Sequence, residues 1–294
     1  MMFMVLSTIG FASMHGAVRH LSADLHPFEI AFFRNLFGFV ALLPWFLRLG
    51  VAPLRTNRFG LYLVRALVNV VAMLMFFYAV SITPLAELQA LGFTAPLFAT
   101  VLAMIFLGER VRLRRWTALI VGFAGAMLII RPGFEEVSLG SMLVLASSAI
   151  WALALIIIKV LSRTESSVTI TAYMVLLMTP LSAIPAYFVW QWPVGEQWLW
   201  LVAVGVIGTL SQMAMAQSFR VADATAVLPL DFTKLIWGAA IGYLAFAEIP
   251  DIWTWIGGIT IFSGATYIAY RESKIKRGGQ ATPARAAKTA PPPA

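Results

Sequence analysis

Apolar residues run in long unbroken stretches along this chain, separated by short polar clusters. Ten stretches reach or approach the length that crosses a bilayer's hydrocarbon core as a helix, about 17–25 residues. They are Met1–Val18, Ile30–Leu47, Leu61–Ser81, Glu87–Leu107, Trp116–Ile130, Leu139–Val160, Val168–Trp190, Trp198–Phe219, Ala224–Phe246 and Ile252–Tyr270. The separators carry turn formers or charge, as at Ala52-Pro53, Arg131-Pro132-Gly133, Pro193–Glu196 and Pro250-Asp251. The runs are continuous rather than alternating in polarity, which predicts helices and not a barrel. No cation precedes the first stretch, and Arg19 and His20 follow it. It therefore reads as a span rather than a signal peptide.

Composition narrows the class. Hydrophobic residues make up 61% of the 294 and charged ones 12%, against about 45–50% and about 25% in a soluble domain. An ordinary soluble enzyme, a disordered chain and a secreted disulfide scaffold are excluded. With no cysteine there is no disulfide, no thiolate metal site and no cysteine nucleophile. A net charge of +8 would suit nucleic acid, but its distribution points to a membrane. With the N-terminus inside, the cytoplasmic side holds Arg48, Arg55, Arg58, Arg110, Arg112, Arg114, Arg115, Lys159, Arg163, Arg220 and six more in the tail. The outer side holds Arg19 and Arg131. Cations favour the cytoplasmic face, so both termini are expected in the cytoplasm and no nucleic acid is expected as a partner. Residues 271–294 turn basic and then Ala/Pro-rich, a composition that stays disordered.

The second half of the chain repeats the first. At an offset of 139, Leu91 meets Leu230, Phe93 meets Phe232, Thr94 meets Thr233, Glu109 meets Glu248, Trp116 meets Trp255 and Gly125 meets Gly264. At 140, Ser7 meets Ser147, Ala12 meets Ala152 and Arg19 meets Lys159. Each repeat then holds five spans, over residues 1–131 and 138–270. Five is odd, so the second copy enters the bilayer from the opposite side. The cations agree: Arg110, Arg112, Arg114 and Arg115 follow the fourth span, and none lies around Glu248–Trp255. The expected fold is all-α and integral to the membrane, with ten transmembrane helices in two inverted five-helix repeats. That architecture belongs to secondary transporters, with a site between the repeats.

Charges inside a membrane cost at least about 2.5–3.5 kcal/mol at the centre and tend to pair or to line a cavity. Asp231 and Lys234 lie at i and i+3 in the ninth span and share a face that continues through Gly238 and Gly242. Its counterpart, Gly92, Ala95, Ala99 and Ala103, is small and uncharged. Two readings stand side by side. In one, Lys234 meets an anionic or electron-rich substrate group and Asp231 a cation or a coupling proton. In the other, the two form an internal salt bridge. Asn69 and Gln212 could hydrogen-bond substrate or simply link helices. Glu87 and Gln89 sit one turn inside the outer surface, where a solvated carboxylate is the plainer reading. Arg34, one turn into the second span, reads as structural. A lone His15 on an apolar helix reads as accommodated, with titration as the alternative.

Two repeats that each close the fourth helix with a small residue and a glutamate (Gly108-Glu109, Ala247-Glu248) resemble the drug/metabolite transporter superfamily, EamA type. The stretch from Leu25 to Arg34 resembles that family's entry to its second helix. Ala222–Pro229 with Glu248–Asp251 is similar to the branch of S-adenosylmethionine uptake and bacterial riboflavin transporters. The resemblance implies that Tyr78, Trp151 and Phe93 face the centre, where they could stack on a flat ring or only pack. Glu109 and Glu248 end their helices at opposite surfaces and, from their place in the repeat, read as structural or as pairing across a gate. The expected partners are the lipid bilayer of a bacterial inner membrane and a small-molecule metabolite. Uptake of a ring-bearing compound such as riboflavin or S-adenosylmethionine is favoured over export of amino acids or other metabolites. No phosphate-binding loop, histidine-rich metal cluster or catalytic pair is evident, so neither an enzyme nor a metal or organic cofactor is expected.

Overall fold

The computed structural model describes residues 1–49, 56, 58–108, 113–133, 136–161, 164–165, 167–221, 230–267 and 270. Helices account for nearly all of these. They are α1 (Met2–Leu21), α2 (Pro27–Leu49), α3 (Phe59–Ile82), α4 (Leu85–Gly92), α5 (Ala95–Leu107), α6 (Leu113–Ile130), α7 (Leu139–Leu161), α8 (Ser167–Tyr187), α9 (Gln197–Val221), α10 (Thr233–Phe246) and α11 (252–267). Among the described residues, Phe59–Ile82, Leu85–Leu107, Leu139–Ile158 and Gln197–Ser218 are long and apolar enough to cross a membrane. Large apolar side chains stay exposed on the outer surface, Leu199 by 73% and Leu244 by 81% among them. Such a surface needs lipid rather than water around it.

The described helices depart from the expected spans at two places. The eighth helix ends at Tyr187 and turns at 188–189 rather than running to Trp190. It carries Pro180 and Pro185, each of which removes a backbone donor. The fourth span is two helices, not one. It breaks at Phe93-Thr94, where the Thr94 hydroxyl donates to the Leu91 carbonyl at 2.7 Å and Pro96 opens the next helix. A hydroxyl bonded back to its own helix often goes with a bend.

The ninth span breaks in the same way. Residues 230–231 are helical, Phe232 is a turn, and the Thr233 hydroxyl donates to the Leu230 carbonyl at 2.7 Å. Both downstream helices end on a left-handed residue, Gly108 (φ 64°) and Ala247 (φ 54°). All of these positions are related by the offset of 139.

The principal packed pairs follow the same correspondence. α1 packs on α9 and α3 on α7; α2 packs on α9 and α3 on α8; α1 packs on α10 and α5 on α7. α6 and α11 cross at small residues. A Cβ on Gly125 would lie 2.8 Å from the Gly257 carbonyl, and one on Gly264 would lie 2.7 Å from the Ala118 carbonyl. One apolar core joins the two halves, with Val18, Leu88, Leu91, Phe93, Leu235 and Ile261 buried in it.

Candidate functional site

α1 brings Thr8, Phe11 and His15 to one face, at spacings of three and four. Opposite them lies α10. The Thr8 and Thr233 hydroxyls share a hydrogen bond of 2.7 Å, which fixes the break of the ninth span against α1. Lys234 follows directly. Its Nζ lies 2.5 Å from the Asp231 carboxylate and 5.3 Å from the centre of the Phe11 ring. Both charged side chains keep some exposure, 18% for Lys234 and 23% for Asp231. One turn on, the buried Trp237 indole nitrogen has no hydrogen-bond partner.

His15 completes the face. Its Nδ1 and the Gln89 side-chain nitrogen, on α4, are 3.0 Å apart. Its ring stacks on Phe11 at 6.5 Å and tilts onto Phe76 of α3 at 5.1 Å. The charges of Lys234 and Arg34 both reach it electrostatically. Arg34 Nη1 donates to the Asn35 side-chain oxygen at 3.1 Å. The guanidinium lies against α9, where a Cβ on Gly208 would come within 3.5 Å of Arg34 Nε. Asn35 in turn donates to the Ser182 hydroxyl of α8 at 3.1 Å. One cation, one carboxylate, an imidazole and an amide thus meet beside the Phe11 and Phe76 rings, with Arg34 set back against α9. Such a set can hold an oxygen-rich group by charge and hydrogen bonding and a planar ring by stacking.

The other sequence-derived candidates fall elsewhere. Asn69 is buried between α3 and α8, its Nδ2 3.1 Å from Met178 Sδ. Phe93 stacks on Phe232 at 5.9 Å and meets Phe262 edge-on at 5.8 Å, so it joins the two breaks. Tyr78 sits at the end of α3 beside the His26 and Phe28 rings. Trp151 is 38% exposed. Gln212 is half-buried on α9, next to Ser211, whose carbonyl accepts from the Ser7 hydroxyl at 2.9 Å. Glu109 lies outside the described residues. Glu248 is held twice: Oε1 lies 3.3 Å from Arg19 Nη2, and Oε2 accepts from the Leu85 backbone at 2.8 Å. Glu87 is held by the Ser141 hydroxyl.

His15 and Gln89 are central although each reads as minor in the sequence, and Trp237 escapes the sequence reading altogether. Trp237 could have been found by extending the Asp231–Lys234 stripe one more step. A groove of about 520 Å³ between α1 and α9 is lined by Phe3, Leu6, Gly10, Ile207 and Ser211 among others, and by none of the candidate side chains. It is apolar and opens on the side of α1 opposite Thr8, Phe11 and His15, so the polar cluster is the better candidate on chemical grounds.

Comparison with known proteins fits this picture. A riboflavin transporter of Vibrio cholerae serotype O1 is 32% identical over 281 residues, covering 94% of each chain. An S-adenosylmethionine uptake transporter of Rickettsia bellii is 29% identical, over 92% of this chain and 93% of that one. The pseudopaline exporter CntI of Pseudomonas aeruginosa is 30% identical, over 87% and 91%. The model of the EamA-like transporter family matches residues 1–131 and 138–270. With both segments matched and apolar helices throughout, the chain is a multi-pass membrane protein that belongs to the EamA-like transporter family.

Proposed function

We propose that the protein is a secondary transporter that carries a small organic metabolite across the bacterial inner membrane by alternating access. The observation that carries this reading is the cluster at His15, Gln89, Asp231 and Lys234. It draws its polar side chains from both halves of the chain and sets them against aromatic rings. The matched breaks at Phe93 and Phe232 support two inverted five-span repeats, residues 1–131 and 138–270, with both termini and the 271–294 tail in the cytoplasm. Broken helices that expose backbone and polar groups between repeats suit substrate binding. In this reading Lys234 and His15 meet an electron-rich substrate group, and Asp231 serves a cationic group or a coupling proton. Arg19 and Glu248 close the outer gate.

Uptake of a ring-bearing metabolite, in the class of riboflavin or S-adenosylmethionine, is the preferred direction and substrate, because the relatives of that kind cover nearly the whole chain. Export is the second reading, favoured by the likeness to a pseudopaline exporter. A thermal-shift panel on the purified chain tests the class, since a bound ligand stabilises the folded state by mass action. Riboflavin or S-adenosylmethionine is expected to raise the melting temperature of the wild type, and less so that of Lys234→Ala. Stabilisation by amino acids alone would move the assignment to the exporter reading.

A further inference from the structure

We propose that Arg65 and Asn69, beside the Tyr62 ring, form a second binding station, specific for an anionic oxygen group of the transported metabolite. The three residues lie at i, i+3 and i+7 on α3 and turn one face toward α8. Tyr62 stacks on Tyr173 at 4.4 Å. Arg65 Nη1 donates to the Ile170 carbonyl at 2.9 Å, and Asn69 lies against Met178. All three are buried, with exposures of 1%, 5% and 2%. Among the described residues, Arg65 Nε and Asn69 Oδ1 nevertheless have no hydrogen-bond partner, while the Tyr62 phenol turns to the Glu165 carboxylate. Orphaned buried groups are uncommon, and each calls for an explanation.

Charge sharpens the point. Arg19 and Arg131 face Glu248 and Asp251. Among the described residues, Arg65 has only the Ile170 carbonyl, and no carboxylate forms an ion pair with it. Glu165, at the same end, accepts from the Tyr62 phenol and, at 2.8 Å, from the Thr56 hydroxyl. A buried cation without a counter-ion is the costly state. A carboxylate or phosphate oxygen cures it by taking the Arg65 Nε–H donor, and charge-assisted bonds of this kind are the strong ones. Asn69 Oδ1 then accepts from a donor on the same molecule.

The station continues the face that leads to the central cluster. On α3, Met73 follows Asn69 and touches Asn35, and Phe76 touches His15. Seven residues of helix separate Asn69 from Phe76, about 10 Å along the axis. A metabolite leaving the centre thus meets a second set of donors on its way. The inference rests on the carrier reading and adds that the metabolite bears a carboxylate or a phosphate.

Two measurements on the full chain test it. The first needs no transport: thermal unfolding in potassium acetate or phosphate against chloride at equal ionic strength. The oxyanions are expected to stabilise the wild type and Arg65→Lys but not Arg65→Gln. No shift in the wild type, or an equal shift in all three, overturns the anion site. The second is uptake into proteoliposomes of S-adenosylmethionine (carboxylate), flavin mononucleotide (phosphate) and riboflavin (neither). Arg65→Gln is expected to lower uptake of the acid-bearing probe about 10-fold or more, the loss of one charge-assisted bond, with Arg65→Lys retaining most of it. Which probe responds separates carboxylate from phosphate. Wild-type uptake of riboflavin alone, or an equal fall for charged and uncharged probes, overturns the substrate class. If the wild type carries none of the three, the carrier reading fails, while the unfolding experiment still decides the anion site.

Discussion

Asp231 and Lys234 neutralise each other in the resting structure at 2.5 Å, so a substrate that uses either must first compete with the other. Removing one partner leaves a lone charge in a half-buried place, which is unfavourable in itself. Lys234→Ala and Asp231→Ala are each expected to cut transport at least about 10-fold, the loss of a charge-assisted contact, while insertion persists. The double variant separates two roles. A salt bridge that only lets the helix insert is restored by removing both charges, whereas a binding pair stays inactive. Uptake by the three variants at matched expression reads the difference, and recovery in the double variant contradicts the binding role. This pair was legible in the sequence because charges are rare in apolar runs and i, i+3 places them on one face. The His15–Gln89 contact was not. A single histidine on an apolar helix acquires meaning only from its partner, and that partner is 74 residues away.

The broken helices show how far pattern carries at the scale of elements. Hydropathy runs without interruption through Phe93 and gives no sign of a break. Pro96 is a hint in the fourth span, but at the same offset the ninth has Leu235. Each break is accompanied by a threonine hydroxyl reaching a carbonyl three residues back, at Thr94 and again at Thr233. The sequence matches at Leu91, Phe93 and Thr94 marked the right residues for the repeat without revealing what they build. The helix ends behave likewise. Gly108 suits its left-handed backbone, but Ala247 sits in the same conformation at φ 54° with a Cβ that makes it unfavourable by about 1–2 kcal/mol. Ala247→Gly is therefore expected to raise stability by about 1 kcal/mol and Gly108→Ala to lower it similarly. Thermal unfolding in one detergent measures both, and a destabilised Ala247→Gly would contradict the strain assigned to that cap.

Over the whole molecule, many of the polar ties gather at the end expected to face outward. Arg19 meets Glu248, Arg131 meets Asp251 at 2.6 Å, and Glu29 accepts from the Gln191 backbone at 3.1 Å. Glu248 also holds the first turn of α4 through Leu85. In the proposed cycle these contacts close the outer face and must part for substrate to enter. Neutralising Glu248 removes one of them without removing bulk. Because the chain has no cysteine, a single Thr8→Cys gives a clean reporter of access to the cluster. Labelling by a membrane-impermeant maleimide from outside is expected to rise several-fold when Glu248→Gln is added. Unchanged labelling would show that this carboxylate is a structural brace and not a gate.

Transport by alternating access is the central claim, and counterflow tests it most directly. Proteoliposomes holding the full chain are loaded with unlabelled riboflavin or S-adenosylmethionine and diluted into a trace of the labelled compound. A carrier must return its site loaded or empty, so labelled substrate should accumulate transiently inside above the outer concentration and then decay. The overshoot should vanish in Lys234→Ala. Simple equilibration without an overshoot, for every metabolite that crosses, would contradict the account and describe a passive pore.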